Sequence, residues 1–283
     1  MDAVMECRNV TYYYPLCKRP ALTEVSVRLE WGKMYGVIGA NGAGKTTFCA
    51  MLRGFIPSLY QGRFSGEVLL HNRSLDSYGG MLAKKIGYVF QNPFTQLSGV
   101  KDTVFEEVAY GLENMGVPVG RIETKVIEAM RLTNIEQFAD RNPFQLSGGQ
   151  IQRVALASVL VQDPDILIID EPTSQLDPRE TKDVFHIIQG LKNQGKTIVL
   201  VEHKVDLIAE YADEILVFSQ GQLVKKGDKH EIFTGADLEK WGVDLPHITR
   251  LGKQLQALGF PMKQIPVTEE QAMRMIREKL GQC

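Results

Sequence analysis

At 283 residues, with 44% hydrophobic and 23% charged residues and a formal charge of −2, the chain reads as an ordinary globular protein large enough to bury a full core. Its 32 Lys plus Arg are spread without a basic block, so nothing implies a general polyanion-binding surface, and nucleic acid is not expected as the main partner. The cysteines Cys7, Cys17, Cys49 and Cys283 are widely spaced with no Cys-x-x-Cys pair, so neither a disulfide framework nor a zinc site is expected, and they fit a reducing compartment.

Residues 4–14 and 22–29 are predicted as strands, with Val25, Val27 and Leu29 on one face of the second and Ser26 and Arg28 on the other. The run Tyr12-Tyr13-Tyr14-Pro15 that ends the first strand is either core or, beside a nucleotide, a surface on which a purine stacks. The apolar run 35–38 then enters Gly39-Ala40-Asn41-Gly42-Ala43-Gly44-Lys45-Thr46-Thr47 and a helix from Phe48. A strand that turns on three glycines into a helix aims backbone N–H groups and the positive end of the helix dipole at one small volume, which suits phosphate oxygens. Lys45 can reach the outer phosphates and the Thr46 hydroxyl is placed to ligate Mg2+. This is the P-loop pattern, and it asks for a nucleoside triphosphate.

Short strands follow at 67–70 and 86–90, the second closing on Gln91-Asn92-Pro93. From 102 to about 138 the spacing turns helical, through Val104, Phe105, Val108 and Leu112, then Ile122, Val126, Ile127, Met130 and Leu132. Leu146-Ser147-Gly148-Gly149-Gln150 opens another helix, to Val161. The continuous apolar run 166–169 ends in Asp170-Glu171-Pro172, as expected of a strand buried on both faces of a parallel sheet with its carboxylates at the ligand-binding tip. A helix over 178–194, a strand over 197–201 ending in Glu202-His203, and a strand over 214–218 continue the βαβ alternation, and Gly221 and Gly227 punctuate a final hairpin. In the tail from about 243, Ile248, Leu251, Leu255 and Leu258 form an apolar stripe, and Thr268 with Gln271 makes a capping-box start for a helix to about 280. Two such short helices must dock on the main domain or on a partner. Met1 to Glu6 show no secretion signal, and no run approaches the ~18 apolar residues of a membrane span, so any membrane link is expected to run through another chain.

Average residue usage would produce both the P-loop and the Leu146–Gln150 motif in one chain of this length only about 4 times in a million, so coincidence is excluded. On these motifs residues 5–233 resemble the ATP-binding-cassette (ABC) ATPases. The resemblance implies an α/β P-loop fold with a mostly parallel core sheet, an antiparallel β subdomain, and an inserted helical subdomain (about 92–160). It sets an ATP-binding domain over 1–242 and a helical extension over 243–283. By the same resemblance, residues 39–47 are the Walker A loop and 166–170 Walker B, with Asp170 holding Mg2+ through water. Glu171 is the general base, and Gln91 the glutamine that reaches Mg2+ and the attacking water. His203 is the histidine that contacts the γ-phosphate, Ser174 to Asp177 the D-loop, and Tyr14 the aromatic on adenine. The chemistry agrees independently, because phosphoryl transfer to water needs positioning and charge neutralisation more than covalent catalysis.

In this family Ser147, Gly148, Gly149 and Gln150 of one cassette close over the ATP of another, so a second ABC ATPase chain is expected, identical or homologous. The stretch Val89 to Pro93 with Gln96, the stretch Thr103 to Gly111, and the short tail resemble the ATPases of energy-coupling factor (ECF) importers. That likeness implies a peripheral position on the cytoplasmic face of the cell membrane, an integral membrane T component, a substrate-binding S component, and a vitamin or transition-metal ion as cargo. The tail would help hold the dimer. Two departures fall near the implied interface: Gln175 where a small residue is usual, and Lys204-Val205-Asp206 after His203 in place of the common aspartate. The alternatives are another ABC transporter class and a soluble ABC ATPase. A small-molecule kinase would have no use for Leu146 to Gln150.

Overall fold

The computed structural model describes residues 3–235, 238–260 and 262–280; Met1, Asp2 and Cys283 lie outside them. β1 (Ala3–Tyr13) and β2 (Leu22–Glu30) pair antiparallel, and β2 alternates as predicted, with Leu22, Val25, Val27 and Leu29 buried and Ser26 and Arg28 exposed. β3 (Met34–Gly39) leads through the glycine loop into α1 (Lys45–Leu52). β4 (Arg63–Leu70) and β5 (Arg73–Ser74) complete a four-stranded antiparallel sheet of order β2-β1-β4-β5. β4 starts at Arg63 where 67 was expected, because Gly66 hides its first half. At φ 92° Gly66 faces a register shift between Arg8 and Thr11, where a Cβ would lie 2.6 Å from the Arg8 carbonyl oxygen.

α2 (Leu82–Lys85), β6 (Ile86–Val89), α3 (Val104–Asn114), α4 (Val119–Leu132), α5 (Gly148–Leu160), β7 (Ile166–Asp170), α6 (Pro178–Asn193) and β8 (Thr197–Val201) follow. The chain continues through α7 (Val205–Tyr211), β9 (Glu214–Ser219), β10 (Gln222–Asp228), α8 (Lys229–Thr234), α9 (His247–Ala257) and α10 (Glu269–Leu280). The second sheet has the order β10-β9-β3-β8-β7-β6 and is parallel except for the β9–β10 hairpin. α1 lies between the two sheets. Its Phe48, Met51 and Leu52 share a core with Val25 and Leu29 of the first sheet and Val37, Ile168 and Val201 of the second. The opposite face of the second sheet, with Ile38, Leu167, Ile169 and Leu200, packs on α5, α6 and α7. Burial on both faces accounts for the unbroken apolar runs of β7 and β8.

The inserted helices have their own core, in which Val104, Val108, Leu112, Ile122, Val126 and Met130 meet Ile151 and Val154 of α5. α5 also contributes Leu156 and Leu160 to the sheet core, which joins the two units. Side chains close the helix starts. Thr103 and Glu106 form a capping box on α3, and Asp177 accepts from the Arg179 and Glu180 N–H groups at 2.8 Å each on α6, with Pro178 at its first position. Phe185 of α6 is fully buried against Tyr211 at 4.7 Å, and Phe185→Ala is expected to cost about 3–5 kcal/mol in urea denaturation.

The tail docks differently from its stripe. Val243, Leu245 and Val267 join the sheet core, the His247 N–H donates to Asp206 Oδ1 at 2.8 Å, and the Thr249 hydroxyl donates to the Pro266 carbonyl at 3.0 Å. The buried face of α9 carries Thr249 and Gly252, and Gly252 lets the 265–266 segment approach where a Cβ would sit 2.9 Å from the Pro266 ring. Leu251 and Leu258 remain exposed. Small residues permit close approach here, so the apolar stripe points elsewhere. Among the described residues no helix is long and apolar enough to cross a membrane, and Cys7, Cys17 and Cys49 are free.

Candidate active site: a phosphate loop facing strand-end carboxylates

β6, β7, β8 and β3 are consecutive parallel neighbours, so their C-terminal ends lie along one edge. Gln91 follows β6, Asp170 and Glu171 end and follow β7, His203 follows β8, and the glycine loop follows β3. Residues 112 positions apart are thereby brought to one edge, where open parallel sheets bind ligands. A cleft of about 750 Å3 opens there, lined by Tyr14, residues 41–47 and Glu171 together with Arg19, Pro20, Ala21, Gln220 and Gly221.

The loop is held from behind. The Gly221 N–H donates to the Ala43 carbonyl at 2.9 Å and the Thr23 N–H to the Gly221 carbonyl at 2.8 Å, so the β9–β10 turn ties the phosphate loop to the first sheet. Gly44, at φ 100°, caps α1 where a Cβ would lie 2.8 Å from the Ala21 carbonyl oxygen. Lys45 is buried, and its ammonium donates to the carbonyls of Gly39 (2.9 Å) and Ala40 (3.1 Å), so the loop itself aims the charge. Burial lowers the Lys45 pKa, against the raising effect of Glu171 and Asp170. The Tyr14 hydroxyl lies 3.2 Å from Thr47 Oγ1, and its ring stands edge-on to Tyr12 at 4.9 Å.

Glu171 sits between two of the other predicted groups. Its Oε2 accepts from Gln91 Nε2 at 2.5 Å, and its Oε1 is 2.7 Å from His203 Nε2. Its backbone is left-handed at φ 49°, an uncommon state for a non-glycine residue, and its N–H is held by the Val201 carbonyl at 2.9 Å. Asp170 is buried, with Oδ2 accepting from the Tyr88 hydroxyl at 3.0 Å and Oδ1 without a hydrogen-bond partner. Burial raises the Asp170 pKa, opposed by the Tyr88 and Thr46 hydroxyls. A buried carboxylate oxygen that Tyr88 leaves free, close to the Thr46 hydroxyl, fits a hydrated divalent cation; among the described residues no cluster of three or more His, Cys, Asp or Glu offers another.

Residues 146–150 do not line this cleft. Ser147 caps α5, forming a capping box with Gln150, and its hydroxyl lies 3.4 Å from Glu180 Oε1. A Cβ on Gly149 would meet the Glu180 carboxylate at 2.3 Å, and Gly148 faces the Gln175 carbonyl. The motif is thus built against Glu180 of α6 and the Gln175 carbonyl of its own chain, with Ser147 and Gly148 exposed. At the two departures Gln175 and Lys204 are both exposed residues, and the Lys204 ammonium donates to the Thr173 carbonyl (3.3 Å) and the Thr181 hydroxyl (3.4 Å). Glu202, buried at the end of β8, accepts from the Thr173 hydroxyl at 2.7 Å and from the His203 N–H at 2.8 Å, fixing the turn that presents the histidine. Sequence reasoning missed Arg19, Gln220 and Gly221 in the cleft, because nothing in the 15–21 loop or the hairpin turn marks a ligand contact. It also missed Tyr88, which reads as an ordinary strand aromatic.

The arrangement can cradle a triphosphate, neutralise it and offer a carboxylate to an attacking water. The family profile described as ABC transporter matches residues 22–174. The energy-coupling factor transporter ATP-binding protein EcfA of Enterococcus faecium is 38% identical over 275 residues, covering 95% of each chain. Among solved structures, cbiO1 from Clostridium perfringens, part of the ABC transporter complex cbiONQ, superposes with a TM-score of 0.75 at 30% identity over 92% of this chain and 98% of that one. The ATP-binding cassette MJ0796, in a dimeric post-hydrolysis state bound to ADP and Pi, gives 0.68 at 27% identity over 80% and 98%. The chain therefore belongs to the ABC transporter ATP-binding family as an ATPase, and within it resembles the ATP-binding proteins of energy-coupling factor transporters.

Proposed function

We propose that this chain is the ATP-hydrolysing subunit of an ECF-type importer that takes up a small micronutrient, a vitamin or a transition-metal ion. The observation that carries the reading is the convergence of Gln91, Glu171 and His203 at the strand ends facing Lys45, in a chain similar to EcfA. Tyr14 holds the adenine, and the N–H groups of residues 39–47, with Lys45, hold the phosphates. Thr46, Asp170 and Gln91 would hold Mg2+, which supplies neutralisation of phosphate charge when bound. Glu171 takes the proton of the attacking water, and His203 steadies the γ-phosphate.

Two cassettes work together, each offering Ser147, Gly148, Gly149 and Gln150 to the ATP of the other. The exposure of Ser147 and Gly148 on their own chain, and the dimeric state of the similar cassette MJ0796, support that pairing. The extension 243–283 stabilises the pair, and a membrane T component with a substrate-binding S component completes the transporter at the cytoplasmic face of the membrane. Affinity purification of the tagged chain from detergent-solubilised membranes of its native host, with mass spectrometry, tests the reading. A T-type membrane protein, a second or identical cassette and a small membrane protein are expected. Recovery of the chain with soluble partners alone would overturn it.

A further inference from the structure

We propose that Tyr88 is a positioning residue for the reaction, holding one oxygen of Asp170 so that the other is presented to the divalent cation that accompanies ATP. The inference rests on the ATP–metal reading of the site. Tyr88 is the third residue of β6 and pairs in register with Ile168, two residues before Asp170 on β7. Both side chains are buried, and the phenol donates to Asp170 Oδ2 at 3.0 Å while Oδ1 has no partner.

A buried tyrosine ordinarily finds an acceptor, so a hydrogen bond by itself means little. The choice of acceptor is what matters here. The torsion that turns a carboxylate about its Cβ–Cγ bond is broad, so an Asp with neither oxygen bonded samples many orientations. A hydrogen bond to a fixed donor narrows that range. The donor is held because the Tyr88 ring packs against Phe90 at 4.8 Å and Phe55 at 5.4 Å, centroid to centroid, in a cluster in which those two rings also stack on each other at 6.1 Å. Phenylalanine would fill this space equally well and could not make the bond.

The same strand end serves the neighbouring carboxylate. Three residues after Tyr88, Gln91 donates to Glu171 Oε2. Tyr88 within β6 and Gln91 just past its end thus bond Asp170, the last residue of β7, and Glu171, which follows it, so a shift of β6 along β7 would disturb the metal carboxylate and the general base together.

The test is Tyr88→Phe in the full-length chain, with binding of a fluorescent ATP analogue titrated against Mg2+ and, separately, measured in EDTA. Loss of such a supporting hydrogen bond is expected to weaken the Mg2+ dependence of binding roughly 10- to 100-fold, with metal-free binding within about twofold of wild type, since the N–H groups of the phosphate loop are untouched. On an Asp170→Asn background the same substitution should have little further effect, because the coupling acts through that carboxylate. Equal losses with Mg2+ and in EDTA would reduce Tyr88 to a packing residue and overturn the inference, as would an unchanged Mg2+ titration. A wild-type chain that binds the analogue identically with Mg2+ and in EDTA would overturn the metal reading of the whole site as well, which separates the two failures.

Discussion

Glu171→Gln is expected to lower ATP turnover about 10²- to 10⁴-fold while leaving ATP binding intact. The carboxylate touches Gln91 at 2.5 Å and His203 at 2.7 Å, and it lines the cleft opposite Lys45. Glutamine matches its size and can keep a hydrogen bond to one of these neighbours, but it cannot take a proton at neutral pH. Magnitude decides between the two roles open to the residue. If Glu171 only held Gln91 in place, its loss would remove one net hydrogen bond, about 1 kcal/mol, and turnover would fall about fivefold. If it is the base, the barrier rises by roughly 3–5 kcal/mol. Phosphate release at saturating ATP distinguishes them, with nucleotide affinity measured in parallel. Turnover within tenfold of wild type would remove Glu171 from the base role. Unchanged affinity matters as much, because the loop residues and Lys45 do the binding. In the paired state proposed above, the substitution should also let an ATP-bound dimer accumulate.

Those parts of the site that depend on local backbone chemistry were legible in the sequence. A glycine loop between a strand and a helix can be read because its function is carried by consecutive N–H groups, and the apolar run 166–169 can be read because a strand buried on both faces has no alternation. Convergence of Gln91, Glu171 and His203 is of a different kind. It arises from the strand order β3-β8-β7-β6, which no single stretch encodes, and it entered the sequence analysis only through the family resemblance. Tyr88 and Gly221 act across strands on residues far away in the chain, so neither leaves a local signal. Which face of the tail packs on its own chain was not legible, for a physical reason. Periodicity reports which face of a helix is apolar, whereas α9 packs by close approach at Thr249 and Gly252 and leaves Leu251 and Leu258 exposed.

The second large effect is structural, and it begins where β3 becomes the phosphate loop. Gly39, at φ 155°, is paired in register with Phe218 of β9, and a Cβ there would lie 2.3 Å from the Phe218 carbonyl oxygen. That oxygen belongs to the backbone of a central strand, so the clash cannot be relieved by a rotamer change. Gly39→Ala is therefore expected to combine backbone strain of about 1–3 kcal/mol with displacement of β3 from β9, and to lose more than about 3 kcal/mol of stability in all. Nucleotide binding should fall with it, because the Gly39 carbonyl is one of the two acceptors that aim Lys45. Gly42→Ala is the informative comparison. Gly42 is also left-handed, at φ 74°, but a Cβ there meets no atom within 4 Å. Its cost should be the conformational one alone, about 1–2 kcal/mol. Urea denaturation of the two variants side by side separates strain from collision. Equal losses would mean that backbone conformation accounts for both, and a Gly39→Ala chain as stable as wild type would contradict the β3–β9 register on which the placement of the loop depends.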